Sequence, residues 1–545
     1  MGPVLVALLA STAFAQTASL AVTGARLWTG NPKQPWAQAL AAGSDGKLIA
    51  AGTDAAIAKL IGPSTVVLKG NGRLVVPGLT DSHIHFITGG FRLSSVQLRS
   101  VKSREQFAAR IREFAATVPT GTWITGGDWD HENWGGVYPT KEWIDAVTPD
   151  HPVMVNRLDG HSALANSRAL ALAKVTRDTK DTPGGVIDRD AKGEPTGLLR
   201  DNAMGLVRRV IPGQSPEMYD RALDAAMKYV AERGITSVHH MGDWDDLAAF
   251  ERARKADRLK TRIYAAVPLA TWERLRDKVA RDGRGDEWLR WGMLKGYVDG
   301  SLGSHTAAFL EPFSDSSSGD RGLLVTPEER LYQWTVGAAK AGLHVAVHAI
   351  GDRAIRVQLD IFERATRELG LKDPRFRVEH AQHIAPADIA RFGKLGVIAS
   401  MQPYHAIDDG RWAEKVIGKE RAKGTYAFKS LLESGAKIAL GSDWFVAPPT
   451  PLEGIYAAVT RQTLDDKHPG GWVPEQKITV EQALAGYTAG PAWASFEEKT
   501  KGILEPGRLA DFVMLESDIT KIEPWRIRNV KVDATVVGGK VVFRR

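Results

Sequence analysis

His83-Ile84-His85 closes an apolar run that begins at Leu74, and two imidazoles two positions apart in an extended strand project to the same side. A pair so placed can chelate one cation at small ordering cost. H-x-H alone is weak evidence, because a strand-end histidine is more often a hydrogen-bonded structural residue. Four later apolar runs strengthen it, since each carries another nitrogen or oxygen donor at or near its end. Lys295 lies in 291–299 with Tyr297 and Asp299 on its face, His348 ends 343–348, His380 ends 375–380, and Asp443 follows 437–442. Imidazole and carboxylate donors suit zinc and neighbouring divalent metals, and the absence of cysteine excludes thiolate ligation. An ammonium is a poor ligand. A lysine buried near cations can lose its proton, however, and its free amine can add carbon dioxide to give a carbamate whose two oxygens would bridge two metals. Asp443 would then be a ligand and also the proton shuttle for a metal-activated hydroxide.

Three further apolar runs, 234–240, 262–267 and 396–401, bring the strand-like segments to eight. Apolar residues at three- and four-residue intervals predict helices between most of them, at 219–233, 328–341, 353–369, 386–395 and 425–434. Eight strands alternating with helices predict an α/β protein built as a (β/α)8 TIM barrel, which gathers functional side chains at the C-terminal ends of its strands. The donors sit in that half of their runs. Short strands with turn punctuation in 18–76, and a strand and hairpin within 500–545, are each too small to close a core. They predict one composite β-sandwich built from both termini, beside a barrel of 77–499. Residues from about 91 to 211 are too many for a loop and predict an α+β insertion after the first barrel strand.

Five strings carry a resemblance: 77–85 (PGLTDSHIH), 295–304 (KGYVDGSLGS), 348–354 (HAIGDRA), 377–382 (RVEHAQ) and 441–444 (GSDW). In that order they resemble the amidohydrolase superfamily of metal-dependent hydrolases, in the branch of proteins like N-substituted formamide deformylase. The likeness runs over nearly the whole chain after its first residues. It implies that His83 and His85 hold the more buried metal with Asp443, and that His348 and His380 hold a second, with carboxylated Lys295 between them. Two Zn2+ are expected, with manganese, iron or cobalt as alternatives. Phe445 stands where the pattern has proline and Thr450 where asparagine is common, which bears on pocket shape rather than on the metals.

Asp128, Trp129, His161, Tyr404 and His405 are the expected substrate-binding residues. Asp128 and Trp129 are read as shaping the pocket, and His161 either as a contact to the scissile group and its oxyanion or as a supporting residue. Val4 to Ala10 followed by Ala13-Phe14-Ala15 reads as a secretory signal over residues 1–15, although no basic residue precedes the apolar stretch; a secreted or periplasmic bacterial protein is expected. The formal charge of +7 comes from 71 basic and 64 acidic residues without a basic run, which argues against a nucleic-acid partner. No membrane span is expected, and the partner is a small-molecule substrate. The reading is a hydrolase of C–N bonds other than peptide bonds, in amide, N-acyl or N-formyl substrates. The alternatives are a lactonase, esterase or phosphotriesterase on the same centre, and a non-catalytic secreted binding or regulatory protein.

Overall fold

The computed structural model describes residues 17–545; the expected signal segment lies outside them. All eight expected runs form one parallel sheet in chain order. Its strands are β1 Leu79–Ile84, β2 Ile235–Met241, β3 Arg262–Pro268, β4 Leu289–Tyr297, β5 His344–Ala349, β6 Arg377–His380, β7 Ile398–Met401 and β8 Ile438–Leu440. The ends of β1 and β8 meet at the mouth, where Asp443 N donates to His83 O (2.7 Å) and His85 N donates to Trp444 O (2.7 Å). The hydrogen bonds that draw the sheet into a barrel are thus made by three of the expected ligands.

Helices cover the barrel as their periodicity requires. Pro216–Ala231 starts from Ser215, whose side chain accepts from Met218 N, and has proline in its first turn. Asp352–Leu369 buries Ala354, Ile355, Gln358, Leu359, Phe362 and Ala365, a stripe at helical spacing, and ends at Gly370 in the left-handed conformation. Inside the barrel alternate residues of β6, Arg377 and Glu379, put a fully buried ion pair where a barrel core is usually apolar.

The first apolar run is divided. Leu74–Pro77 pairs antiparallel with Phe512–Leu515 in a six-stranded sheet, and only from Leu79 does the chain enter the barrel. The break falls at Gly78, where a Cβ would lie 2.3 Å from Thr236 Oγ1 and 2.9 Å from Asp511 Cβ. A four-stranded sheet faces this one across a core of Leu20, Val22, Leu40, Val75, Phe512 and Val536. The segment 20–28, expected as one strand, is two: Gly24 (φ 62°) turns the chain so that Leu20–Thr23 joins the four-stranded sheet and Arg26–Trp28 the six-stranded one.

Between β1 and β2 a six-stranded mixed sheet spans Val96–Gln97 to Pro195–Asp201 and carries the helices Arg104–Ala115 and Ser167–Leu172. Buried Arg157 fastens it to the barrel. Its guanidinium pairs with Asp159 (2.7 Å) and Asp130 (3.3 Å), and Asp159 in turn accepts from Ser301 and Ser304 in the loop after β4.

Candidate metal centre

The six expected ligands converge at the barrel mouth. His83 sits at 0% exposure near the end of β1, and β1 ends at Ile84, so His85 leaves the strand and starts the helix Phe86–Arg92. Both imidazoles nevertheless turn to the same atom: His83 Nε2 and His85 Nε2 lie 3.4 and 3.2 Å from Asp443 Oδ1. Strand alternation alone would send His380 to the opposite face from Glu379. A left-handed backbone at His380 (φ 72°) and Ala381 (φ 44°) turns the chain at this point, and Asp443 (φ 60°) is held in the same region after β8. The rings of His83, His380 and His348 follow one another across the mouth at centroid distances of 4.6 and 4.5 Å. Lys295 on β4 brings Nζ to 3.2 Å from His83 Nε2. Ligand atoms of His83, His380 and Asp443 all fall within 4.8 Å of one another.

Three of the imidazoles have one nitrogen committed. His83 Nδ1 donates to the Glu379 carboxylate (2.6 Å), His380 Nδ1 to the Gln402 side-chain oxygen (2.9 Å), and His348 Nε2 to the Gly300 carbonyl (2.9 Å). Each partner only accepts, so each opposite ring nitrogen keeps a lone pair. Burial depresses the pKa of all three; His83 falls to about 4, with the Lys295 charge adding to the effect, and the rings are neutral. The buried Asp443 carboxylate lies against the rings of His83, His85 and His380. Its buried Oδ1 has no hydrogen-bond donor. A cluster of lone pairs around an unpartnered carboxylate oxygen repels itself in the absence of a cation, and the donor set fits a divalent metal. Lys295 fits the same reading: burial lowers its pKa from 10.5 to about 8, within reach of the free amine.

A cavity of about 570 Å3 opens over these residues, and His85, Lys295, His348, His380 and Asp443 line it. Of the expected pocket residues, His161 and His405 are on its wall. His161 Nδ1 bonds Asp201 (2.6 Å), and although burial disfavours its charge, the Asp201 carboxylate raises its pKa; its ring lies 5.0 Å from that of His348. His405 Nε2 is buried without a partner. Trp129 is not at the wall: it is fully buried in the insertion core against Phe107 and Trp134, with Nε1 donating to Val155 O. Asp128 sits beside Arg92 (3.4 Å) behind the cavity, and Tyr404 packs against the barrel's apolar core, also off the wall. Asp128 and Trp129 shape the pocket only indirectly, through the fold of the insertion, while Asp130 next to them is on the wall.

Glu379, Gln402, Asp201 and Arg157 were not singled out from the sequence. Arg377-x-Glu379 did carry a signal, because two opposite charges at alternate positions of a barrel strand must face inward together. Asp201 carried none, since only the tertiary fold brings it to His161.

Residues 70–543 match the Amidohydrolase family. The chain belongs to that family. This amidohydrolase is 40% identical over 541 residues to the Arabidopsis thaliana protein LONG AFTER FAR-RED 3, covering 96% of the chain and 92% of that protein. To N-substituted formamide deformylase of Arthrobacter pascens it is 25% identical, covering 97% of the chain and 99% of the deformylase. A solved structure of an uncharacterized metal-dependent hydrolase from Pyrococcus furiosus superposes with a TM-score of 0.71 at 30% identity, over 92% of this chain and 100% of that one. The family and this neighbour make the chain a metal-dependent hydrolase with a (β/α)8 barrel and a separate sheet domain.

Proposed function

We propose that this amidohydrolase cleaves non-peptide C–N bonds in amide, N-acyl or N-formyl substrates, at a two-metal centre held by His83, His85, Lys295, His348, His380 and Asp443. The observation that carries the proposal is the convergence of lone-pair nitrogens on the unpartnered Oδ1 of Asp443. The activity that the Arthrobacter relative is named for, deformylation of an N-substituted formamide, agrees with the bond type.

Bound divalent ions would polarise the carbonyl and lower the pKa of water. The protein's own groups would do the rest. Lys295, as the free amine, adds to the carbon of carbon dioxide and loses one proton, so that the side chain presents two oxygens where it had one nitrogen. Glu379, Gln402 and Gly300 fix the ring orientations. Asp443 accepts the proton of the attacking water and returns it to the leaving nitrogen. His161, oriented by Asp201, which also favours its charged form, lines the cavity beside His348 and donates to the oxygen that gains charge in the transition state.

The test is metal stoichiometry by plasma mass spectrometry on protein purified with bicarbonate, for wild type and Lys295→Ala, followed by an amide and ester library. About two metals per chain falling to one or none in the variant, with amides turned over, is the expected result. Absence of bound metal in both proteins after reconstitution would reject the centre, and turnover restricted to esters or lactones would reject the bond assignment.

A further inference from the structure

The cavity wall is lined with charges, and they are not evenly matched. Each carboxylate on it other than Asp443 has a partner: Asp130 and Asp159 pair with Arg157, Asp201 with His161, Asp408 with Arg411, and Asp409 accepts from Gln382 and Tyr426. Of the cations on it, Arg157 is paired and Lys295 lies among the proposed metal ligands, which leaves Arg208. Arg208 lines the same cavity, no carboxylate among the described residues is within ion-pairing distance of it, and its one side-chain hydrogen bond is Nη2 to Met204 Sδ at 3.7 Å. Its side chain is exposed to solvent.

The neighbourhood adds to the imbalance. Arg92 stands close enough to oppose the Arg208 charge, and its own Nε is 3.4 Å from Asp128, the carboxylate that Arg92 and Arg99 share. Arg92 Nη1 is buried without a hydrogen-bond partner. Three guanidiniums share this flank with two carboxylates, Asp128 beside Arg92 and Arg99, and Asp201, whose charge reaches Arg208 from beyond ion-pairing distance. An arginine keeps its charge at physiological pH, and one that meets solvent without an ion-pair partner has its guanidinium donors free for an incoming anion. The flank is also close to the chemistry: the field of Arg208 reaches Tyr297, whose ring lies 4.9 Å from Lys295 Nζ and 5.4 Å from the His348 ring. Arg208 thus lines one cavity with Lys295, His348 and Asp443.

We infer that Arg208 receives a carboxylate carried by the substrate, so that the preferred amides are singly charged anions with the carboxylate a few bonds from the scissile C–N bond. The inference rests on the amide-hydrolase reading of the same site. A guanidinium fork matches a carboxylate with two parallel hydrogen bonds. The six aspartates on the wall, Asp130, Asp159, Asp201, Asp408, Asp409 and Asp443, disfavour a more highly charged anion such as a phosphate monoester.

The experiment is calorimetric binding to metal-loaded protein of matched pairs differing by one charge: the N-acetyl derivatives of glycine, β-alanine, 4-aminobutyrate and 4-aminobenzoate, each against its primary carboxamide. In wild type at least one acid is expected to bind roughly ten- to a hundredfold tighter than its carboxamide, the range for a hydrogen-bonded charged partner. Arg208→Gln should remove the difference and leave carboxamide binding unchanged, and Arg208→Lys should keep part of it. Equal binding of every pair in wild type, or a preference that survives in Arg208→Gln, overturns the inference. Should Arg208→Gln lose carboxamide binding too, Arg208→Lys decides, a full wild-type preference counting against. C–N cleavage is followed in the same mixtures: cleavage of neutral amides without an acid preference sinks this inference and spares the reaction, while an acid preference without any cleavage does the reverse.

Discussion

Glu379→Gln should cost this protein metal before it costs anything else at the mouth. Glu379 is sealed from solvent between Arg377, whose Nε and Nη2 lie 2.7 and 3.2 Å from its two oxygens, and His83 Nδ1 at 2.6 Å. Burial would raise its pKa, but Arg377 and His83 overcome this and hold it below the usual carboxylate range, so it is ionised and only accepts. His83 must then carry its proton on Nδ1. In the variant the amide must set its NH2 against donors whichever way it turns, against Arg377 Nε at the Oε1 position or against His83 Nδ1 and Arg377 Nη2 at the Oε2 position. With NH2 facing His83 Nδ1 the imidazole proton moves to Nε2, the nitrogen 3.4 Å from Asp443 Oδ1, and with the oxygen there His83 still loses its anionic partner. A protonated nitrogen cannot ligate. Loss of such a supporting carboxylate weakens metal binding about 10- to 100-fold, or roughly 1.4–2.7 kcal/mol. The metal-free fold suffers separately, since Arg377 stays buried without its counter-charge, a loss of about 3–5 kcal/mol. Competition against a chromophoric chelator measures the first quantity, and urea unfolding of metal-free protein the second. Metal affinity within about twofold of wild type would refute the claim that Glu379 sets the His83 tautomer for ligation.

Asp443→Asn should lower turnover about a thousandfold in steady-state assays, and near-normal turnover would remove Asp443 as the proton carrier. His161→Ala and Asp201→Asn should each lower kcat about 10²- to 10³-fold at unchanged metal content; loss of metal instead would make the pair structural. Asp409 is buried and its pKa rises from 3.8 to about 7, opposed by the Tyr426 hydroxyl that donates to it. The folded state thus favours the protonated acid, so this stability is present below about pH 4 and is lost as pH rises toward 7, by up to about 1.4 kcal/mol per pH unit. Asp409→Asn should flatten that dependence in urea midpoints measured across the window. Arg262 binds Asp511 with both nitrogens of its fork (2.7 and 3.0 Å) where the barrel meets the terminal sheets. Arg262→Ala should cost about 3–5 kcal/mol of unfolding free energy, and Arg262→Met with Asp511→Leu distinctly less, because the pair is then removed rather than orphaned.

Periodicity fixed the barrel in advance. Eight short apolar runs separated by helical stripes have few other ways to bury themselves, and a strand's two-residue repeat places a terminal donor at the mouth whatever the loops do. His83, Lys295 and His348 were legible for that reason, each on the inward face of its strand. Other features depend on atoms distant in sequence. The run from Leu74 could not reveal that it changes sheets at Gly78, because the crowding comes from Thr236 and Asp511. His380 and Asp443 face the centre through left-handed backbone that no propensity of histidine or aspartate foretells. Trp129 looked like a pocket residue because aromatic and acidic residues cluster around it, yet the insertion needed a core of its own and took that ring. Whether a charge is paired is settled in the same way. Arg157 and Arg208 are alike in sequence, and only the folded chain brings carboxylates to one and leaves the other facing the cavity, since ion pairing depends on distance through space rather than along the chain.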